Sequence, residues 1–360
     1  MSSPEFSAYF ASDVCPALLK LVTDPKEKIR ELSLQLLIKT ISCDEMKPFD
    51  FNTLLNEFTS SAFKRGFASA SPKPFEEAAE EIRLLLVKVM VALVVHNSIR
   101  TSESFPVICE GLSRALSDNF PEVKRECCLL IAKLSKKGAT AIRMHAEGLI
   151  KQLNTNLNHQ HSKTRQMTVK AIGFVLAADG GVTTAPEKLM IDTVLPSLKK
   201  TTFDQIPTVR KALVSCLSRV LSLALSEADS NPFPDPEPMV IDAESKMREG
   251  EPDGSSPSKC AYGPFIPTLI SFLLSICCDE VEDVKKVACA ELTALASSRS
   301  QTVFKFVEGS TDDEKTTRFV TAYFEKILLI LVADASHWTS GQREKSLNTM
   351  TTLIEYTDAR

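Results

Sequence analysis

Apolar residues along this chain fall at helical spacing, in runs separated by short polar turns, and the runs come in pairs. Ile, Val, Leu and Ala recurring every three to four positions mark one buried stripe per helix. The pattern predicts seven pairs. The first runs over about 6–21 and 25–41, with Leu32, Leu34, Leu36 and Leu37 supplying the inner face of its second helix. The second pair is the least regular, with a helix over 51–63, a Ser/Pro loop over 69–74 and a long apolar helix over 75–95. The remaining pairs follow over 105–116 and 121–134, 141–157 and 162–178, 186–199 and 206–225, 265–278 and 281–296, and 318–333 and 341–356. Helix pairs that hide one face each are stable when stacked, so such a chain reads as a repeat array.

The turns between paired helices carry a second pattern. An acidic residue or a histidine is followed six positions later by Arg or Lys: Asp24 and Arg30, Glu77 and Arg83, Asp118 and Lys124, His159 and Arg165, Asp204 and Arg210, Asp279 and Lys285, His337 and Arg343. Arg83, Lys124 and Arg165 are spaced by 41 residues, inside the period of about 40–47 that marks HEAT and armadillo arrays. Wider gaps hold two inserts, a Pro-, acid- and Ser-rich one over 229–259 and a polar one over 297–317. The first has too few apolar groups to offset its ordering entropy and is expected to be disordered.

Each half of the motif has a physical job. A short acid in the turn accepts hydrogen bonds from the free N–H groups that open the second helix, and its charge suits that positive end. Pro25, Pro121 and Pro207 fit a first helical turn, where no donor is lost. The cation, two turns further on, reaches the acid of the stacked neighbour and builds a ladder that fixes register. An exposed rung of this kind contributes only about 0–1 kcal/mol. The expected fold is therefore an all-α HEAT-repeat α-solenoid, seven pairs wound into a right-handed superhelix as a single array over 1–360. The absence of an evident polar capping helix after the seventh pair suggests the N-terminal portion of a longer array.

Composition narrows the function. With 12 Gly and 44% hydrophobic residues in 360, the chain suits a wholly helical fold. A formal net charge of -4 argues against a protein whose main work is neutralising phosphate backbones. Residues 1–20 lack a basic start before an apolar run, and the longest apolar stretch, 84–95, is interrupted by Lys88 and falls short of the roughly 20 residues of a membrane span. These readings place the protein in the cytoplasm, where its ten cysteines stay reduced. Cys127, Cys128, Cys277 and Cys278 are expected at helix interfaces.

Catalytic chemistry finds little foothold. The scarce glycines form no phosphate-cradling loop, and His159 and His161 have no further ligands at metal spacing. Cys109, Cys216 and Cys289 lie near basic residues, but the five histidines form no triad-like cluster. No catalytic residue, cofactor or metal is expected. Lys199, Lys200, Lys211 and Lys286 are candidates for an electropositive edge that meets an acidic protein partner.

Four stretches carry a family resemblance: NHQHSKTR over 158–165, FDQIPTVR over 203–210, FIPTLISFLL over 265–274 with DEVEDVK over 279–285, and His337-Trp338 with Arg343, Lys345 and Leu347. They resemble the HEAT-repeat axonemal dynein assembly factors, the dynein axonemal assembly factor 5 family. The likeness covers about 100–356, best from 140 onward, while 1–100 adds only generic repeats. It implies a cytoplasmic, non-enzymatic scaffold for pre-assembly of outer and inner dynein arms in motile cilia or flagella. By the same resemblance its partners are dynein heavy and intermediate chains and chaperone-linked assembly factors, with no nucleic acid or membrane. No binding residue carries over. A tubulin-binding array, a karyopherin-like adaptor and a phosphatase scaffold share the fold and differ in surface residues.

Overall fold

A computed structural model describes residues 9–43, 51–71, 73–96, 104–137, 139–178, 186–230, 262–298 and 311–358. Insert 229–259 lies almost wholly outside these residues, as does most of insert 297–317. Regular structure among the described residues is helical, apart from one isolated bridge between Ala70 and Lys73. They divide into two units, Met1–Cys216 and Leu217–Arg360.

In the first unit the pairs are α1 (Cys15–Leu21) and α2 (Glu27–Ile41), α3 (Asn52–Phe58) and α4 (Glu80–His96), α5 (Phe105–Ala115) and α6 (Pro121–Lys137), and α7 (Ala146–Asn156) and α8 (Ser162–Leu176). A fifth pair comprises α9 (Leu195–Thr201) and α10 (Pro207–Ser230), whose residues from Leu217 on belong to the second unit. The second helices α2, α4, α6 and α8 pack side by side in order, and among the first helices α5 packs on α7. This is solenoid stacking. The apolar run over 84–95 sits inside α4, where Leu86, Val87, Val89, Met90, Leu93 and Val94 are all buried. Each such side chain contributes roughly 1.5–3 kcal/mol of transfer free energy.

The helical period corrects one expectation. Four leucines within six residues cannot share one face of a 3.6-residue helix. Leu34 and Leu37 are buried, with Ile41 one turn on, while Leu32 is 53% and Leu36 47% exposed. Proline corrects another. Helix α2 begins at Glu27, which leaves Pro25 in the preceding bend, whereas Pro121 and Pro207 do open α6 and α10. Five-residue π-helical turns at Phe10–Val14 and Met190–Val194 run directly into α1 and α9. Pro16 and Pro196 follow within two residues, and a wider turn relieves the clash of a proline ring with the carbonyl one turn back.

Irregularity in the second pair has an aromatic cause. Phe67 packs edge-on against Phe63 and Phe75, with ring centroids 5.3 and 5.6 Å away, and the Arg83 guanidinium lies 5.1 Å over the Phe75 ring. Phe75 therefore anchors a loop, and the second helix starts later than the expected residue 75.

In the second unit, α11 (Ile266–Cys277) pairs with α12 (Glu282–Ser298), and α14 (Phe324–Ala335) pairs with α15 (Ser340–Asp358). Helix α13 (Asp312–Ala322), which packs on both α12 and α15, enters the polar stretch expected as a loop over 297–317. Its start is fixed by a capping box in which Thr311 and Glu314 exchange side-chain and backbone hydrogen bonds. The chain breaks at Tyr323, so the expected helix over 318–333 is two helices.

Candidate protein-binding edge

Every turn of the seven places its acid or histidine identically. Oδ1 of Asp24, Asp118, Asp204 and Asp279 accepts from the backbone N–H two residues on, at 2.8, 2.8, 2.9 and 2.9 Å. Glu77 Oε1 does the same at 3.1 Å, and so do Nδ1 of His159 at 3.1 Å and Nδ1 of His337 at 3.3 Å. The residue thus closes the turn ahead of the helix and is not the helix cap, because its amide partner is itself the residue before the first helical one in α2 and α8. A neutral imidazole with an unprotonated Nδ1 reproduces the acceptor geometry of Asp.

The arginine six residues later has two edges and uses both. Nη1 of Arg30, Arg83, Arg165 and Arg343 donates to two carbonyls of its own turn at 2.8–3.1 Å, and Arg210 Nη1 donates to Asp204 O at 2.6 Å. Nε and Nη2 form a fork onto the next pair's carboxylate. Arg83 grips Asp118 at 2.6 and 3.0 Å, Arg165 grips Asp204 at 2.7 and 2.9 Å, and Arg30 reaches Glu77 at 3.0 Å through Nη2. Planar guanidinium suits this double duty. These rungs are largely buried: the Arg83 and Asp118 side chains are 8% and 0% exposed. They belong to the buried-pair regime, where removal of one partner is costly, and not to the exposed regime expected from sequence.

Lys124 departs from the pattern. A single ammonium cannot fork, and its neighbour His159 offers no carboxylate, so Lys124 Nζ donates to Asn156 Oδ1 at 2.6 Å while Asn156 Nδ2 donates to Leu116 O at 2.9 Å. Asn156 was invisible in the sequence as a rung. Its only signal is its place three residues before the turn histidine. Burial holds the His159 imidazole below its usual pKa, aided by the charges of Lys124, His161, Arg165 and Arg125. For Asp204, burial raises the carboxyl, but the Arg165 hydrogen bond, the Ile206 amide and the charges of Arg165 and Arg210 together carry it below its usual value.

A depressed histidine favours folding above its unfolded value near 6.5, and that contribution is lost as pH falls through the lower folded value. His159→Asp is expected to remove this loss, since a carboxylate keeps the turn bond and attracts Lys124. Urea melts at about pH 7.5 and about pH 5.5 check it: the drop in midpoint should be smaller in the variant than in the wild type. An equal drop would show that His159 does not titrate with the fold.

The turns also present apolar and polar surface to the outside. Phe203, immediately before Asp204, is 44% exposed, and Ile206 is exposed beside it. Between the fourth and fifth turns lies a cleft of about 420 Å³ lined by Asn158, Gln160, Lys200, Phe203 and Gln205 among others. In the second unit Trp338, immediately after His337, is 84% exposed.

The expected electropositive residues each have their own surroundings. Lys200 donates to Asn158 at 2.7 Å across the two turns, Lys286 pairs with Glu282 along α12 at 3.7 Å, and Lys285 lines a separate cavity in the second unit. Lys199 and Lys211 lie partly buried on α9 and α10. Among the described residues, no group of three or more His, Cys, Asp or Glu is placed to hold a metal ion, and no helix is long and apolar enough to cross a membrane. Cys109 is buried, which pushes its thiol up to about 12, and Cys216 is buried against Gly173.

A family model described as dynein axonemal assembly factor 5-like, TPR repeats, matches residues 1–226. The chain belongs to this family. Dynein axonemal assembly factor 5 of Xenopus laevis is 29% identical over 204 residues, covering 54% of the chain and 22% of that protein. The Mus musculus protein of the same name is 29% identical over 213 residues, covering 59% and 24%, and the Homo sapiens one 28% over 210, covering 58% and 23%. The chain thus spans about a quarter of the length of these relatives. The family match embraces the first hundred residues, whose sequence shows only generic repeats, and ends before the stretches at 265–285 and 337–347. A designed armadillo repeat protein in complex with the peptide (KR)4 shares the fold at a TM-score of 0.50 and 16% identity, over 78% of the chain and 99% of its own. An engineered protein also superposes at 0.50 with 13% identity, over 79% and 98%.

Proposed function

We propose that the chain is a non-enzymatic, cytoplasmic scaffold that uses its row of helix-pair turns to hold other proteins during assembly of axonemal dynein arms, outer and inner. The observation that carries this reading is the family match over residues 1–226, for relatives named as dynein axonemal assembly factors. Physical chemistry supports the scaffold part. Within the first unit the stacked pairs present successive turns, and buried Arg–carboxylate forks keep those turns in register. Exposed Phe203 and Trp338 are the kind of aromatic side chain that anchors protein contacts. The dynein heavy and intermediate chains, with chaperone-linked assembly factors, are the proposed partners.

The test is depletion in cells that build motile cilia. Cilia should form at normal number and length yet beat poorly or not at all, with dynein arms absent in cross-section and heavy chains depleted from the cytoplasm. Normal arms after complete loss would end the proposal. The exposure of Trp338 on a turn favours one competing reading, a direct tubulin contact, and cosedimentation of the purified chain with microtubules separates the two.

A further inference from the structure

One cluster in the second unit plays no part in the turn edge. The end of α11 and the middle of α12 bring Cys277 and Cys289 to the wall of one cavity. Both line a cavity of about 660 Å³ that also takes in Lys285, Glu355 and Tyr356. Cys277 is only 3% exposed, whereas Cys289 is half-buried and open to the cavity. The neighbouring Cys278 is engaged elsewhere, with its sulfur 3.0 Å from the Thr352 hydroxyl. Lys285 sits one helical turn before Cys289 on the same face of α12.

We propose that this cavity is a thiol oxidation site, in which Cys289 reacts with a hydroperoxide and Cys277 resolves the product to an intramolecular disulfide. Three features converge on that chemistry: a half-buried cysteine open to the cavity, a buried second cysteine lining the same cavity, and a cation one turn away to favour the thiolate. The Cys277 thiol donor, against the opposing effect of burial and with help from Lys285, brings Cys289 down to about 7, while the same hydrogen bond first, and burial next, drive Cys277 up. Glu282 of α12 opposes the lowering. Asp313 of α13 and Glu355 of α15 are the other acids lining the cavity.

The steps balance with hydrogen peroxide as oxidant. Cys289 thiolate attacks one peroxide oxygen; an S–O bond forms, the O–O bond breaks, and the departing hydroxide takes a proton to become water. Cys277 sulfur then attacks the Cys289 sulfenic acid. The S–S bond forms, the S–O bond breaks, and hydroxide leaves with the Cys277 proton as a second water. Two thiols are oxidised by two electrons and one peroxide is reduced to two waters.

The experiment uses the full reduced chain, one equivalent of hydrogen peroxide, a sulfenic-acid trap and peptide mapping. In the wild type the expected product is a Cys277–Cys289 disulfide. In Cys277→Ser the trap should label Cys289, and in Cys289→Ser neither product should form at this site. Alkylation of Cys289 in the wild type should inflect near pH 7 and outrun that of buried Cys109 and Cys127 at least about tenfold. If Cys289 reacts no faster than these, or if its sulfenic acid persists in the wild type without disulfide, the proposal fails. The two wild-type measurements decide the matter even if Cys277→Ser unfolds.

Discussion

Arg83→Ala is expected to lower the unfolding free energy by about 3–5 kcal/mol, the cost of leaving a buried charge without its partner. Asp118 has no exposed surface, and Arg83 supplies two of its hydrogen bonds. The same guanidinium closes its own turn on Glu77 O and Ala78 O and covers the Phe75 ring. Truncation therefore frees a carboxylate, two carbonyls and an aromatic face at once. Arg83→Lys keeps the charge but cannot span a fork and a turn together, so a loss of about 1–3 kcal/mol is expected as hydrogen bonds to charged groups disappear. Urea unfolding gives the totals, and hydrogen exchange in α4 and α6 shows where the loss falls. A change under about 1 kcal/mol, the range of exposed pairs, would show that this rung does not hold the second and third pairs together.

Gly173→Leu should cost more than about 3 kcal/mol, and Gly173→Ala a net of about 0–2 kcal/mol. A Cβ built on Gly173 meets the Cys216 backbone Cα at 2.9 Å, with Cys216 Sγ and Cβ at 3.1 and 3.2 Å. Backbone cannot rotate away as a side chain can, so α8 and α10 must separate here. Alanine regains about 1 kcal/mol of helix propensity, which the overpacking cost of roughly 1–3 kcal/mol outweighs. Gly148 provides the contrast, because nothing lies within 4 Å of its Cβ position in α7. Gly148→Ala should raise stability by about 0.5–1 kcal/mol. If the two alanine variants shift the melting midpoint in the same direction, close packing at Gly173 is not what sets its identity.

Gly66 and Gly111 illustrate how the same chemistry yields to flexibility. A Cβ on Gly66 would meet Leu86 Cδ1 at 2.3 Å and one on Gly111 would meet Phe63 Cε1 at 2.5 Å. A leucine tip can rotate; a phenylalanine ring locked against Phe67 has less room to do so.

The sequence by itself determined the helix pairs, the turn between each pair, and the Asp-or-His to Arg-or-Lys spacing of that turn. These features rest on bonds between residues two to six apart, as in Asp24 to Lys26 and Arg30 to Asp24, so their geometry is set within one turn of chain. Histidine standing in for Asp at 159 and 337 followed the same local rule. Tertiary structure decided everything that depends on how one pair rotates against the next. It selected Asn156 and not His159 as the partner of Lys124, turned Leu32 and Leu36 outward, buried the Asp118 rung, and brought Cys277 and Cys289, twelve residues apart, to one cavity. It also separated Gly173 from Gly148, two helical glycines that read alike in one dimension. Such distinctions come from close packing between helices. Local spacing cannot encode them, because the angle at which a neighbouring surface arrives is fixed by many side chains at once.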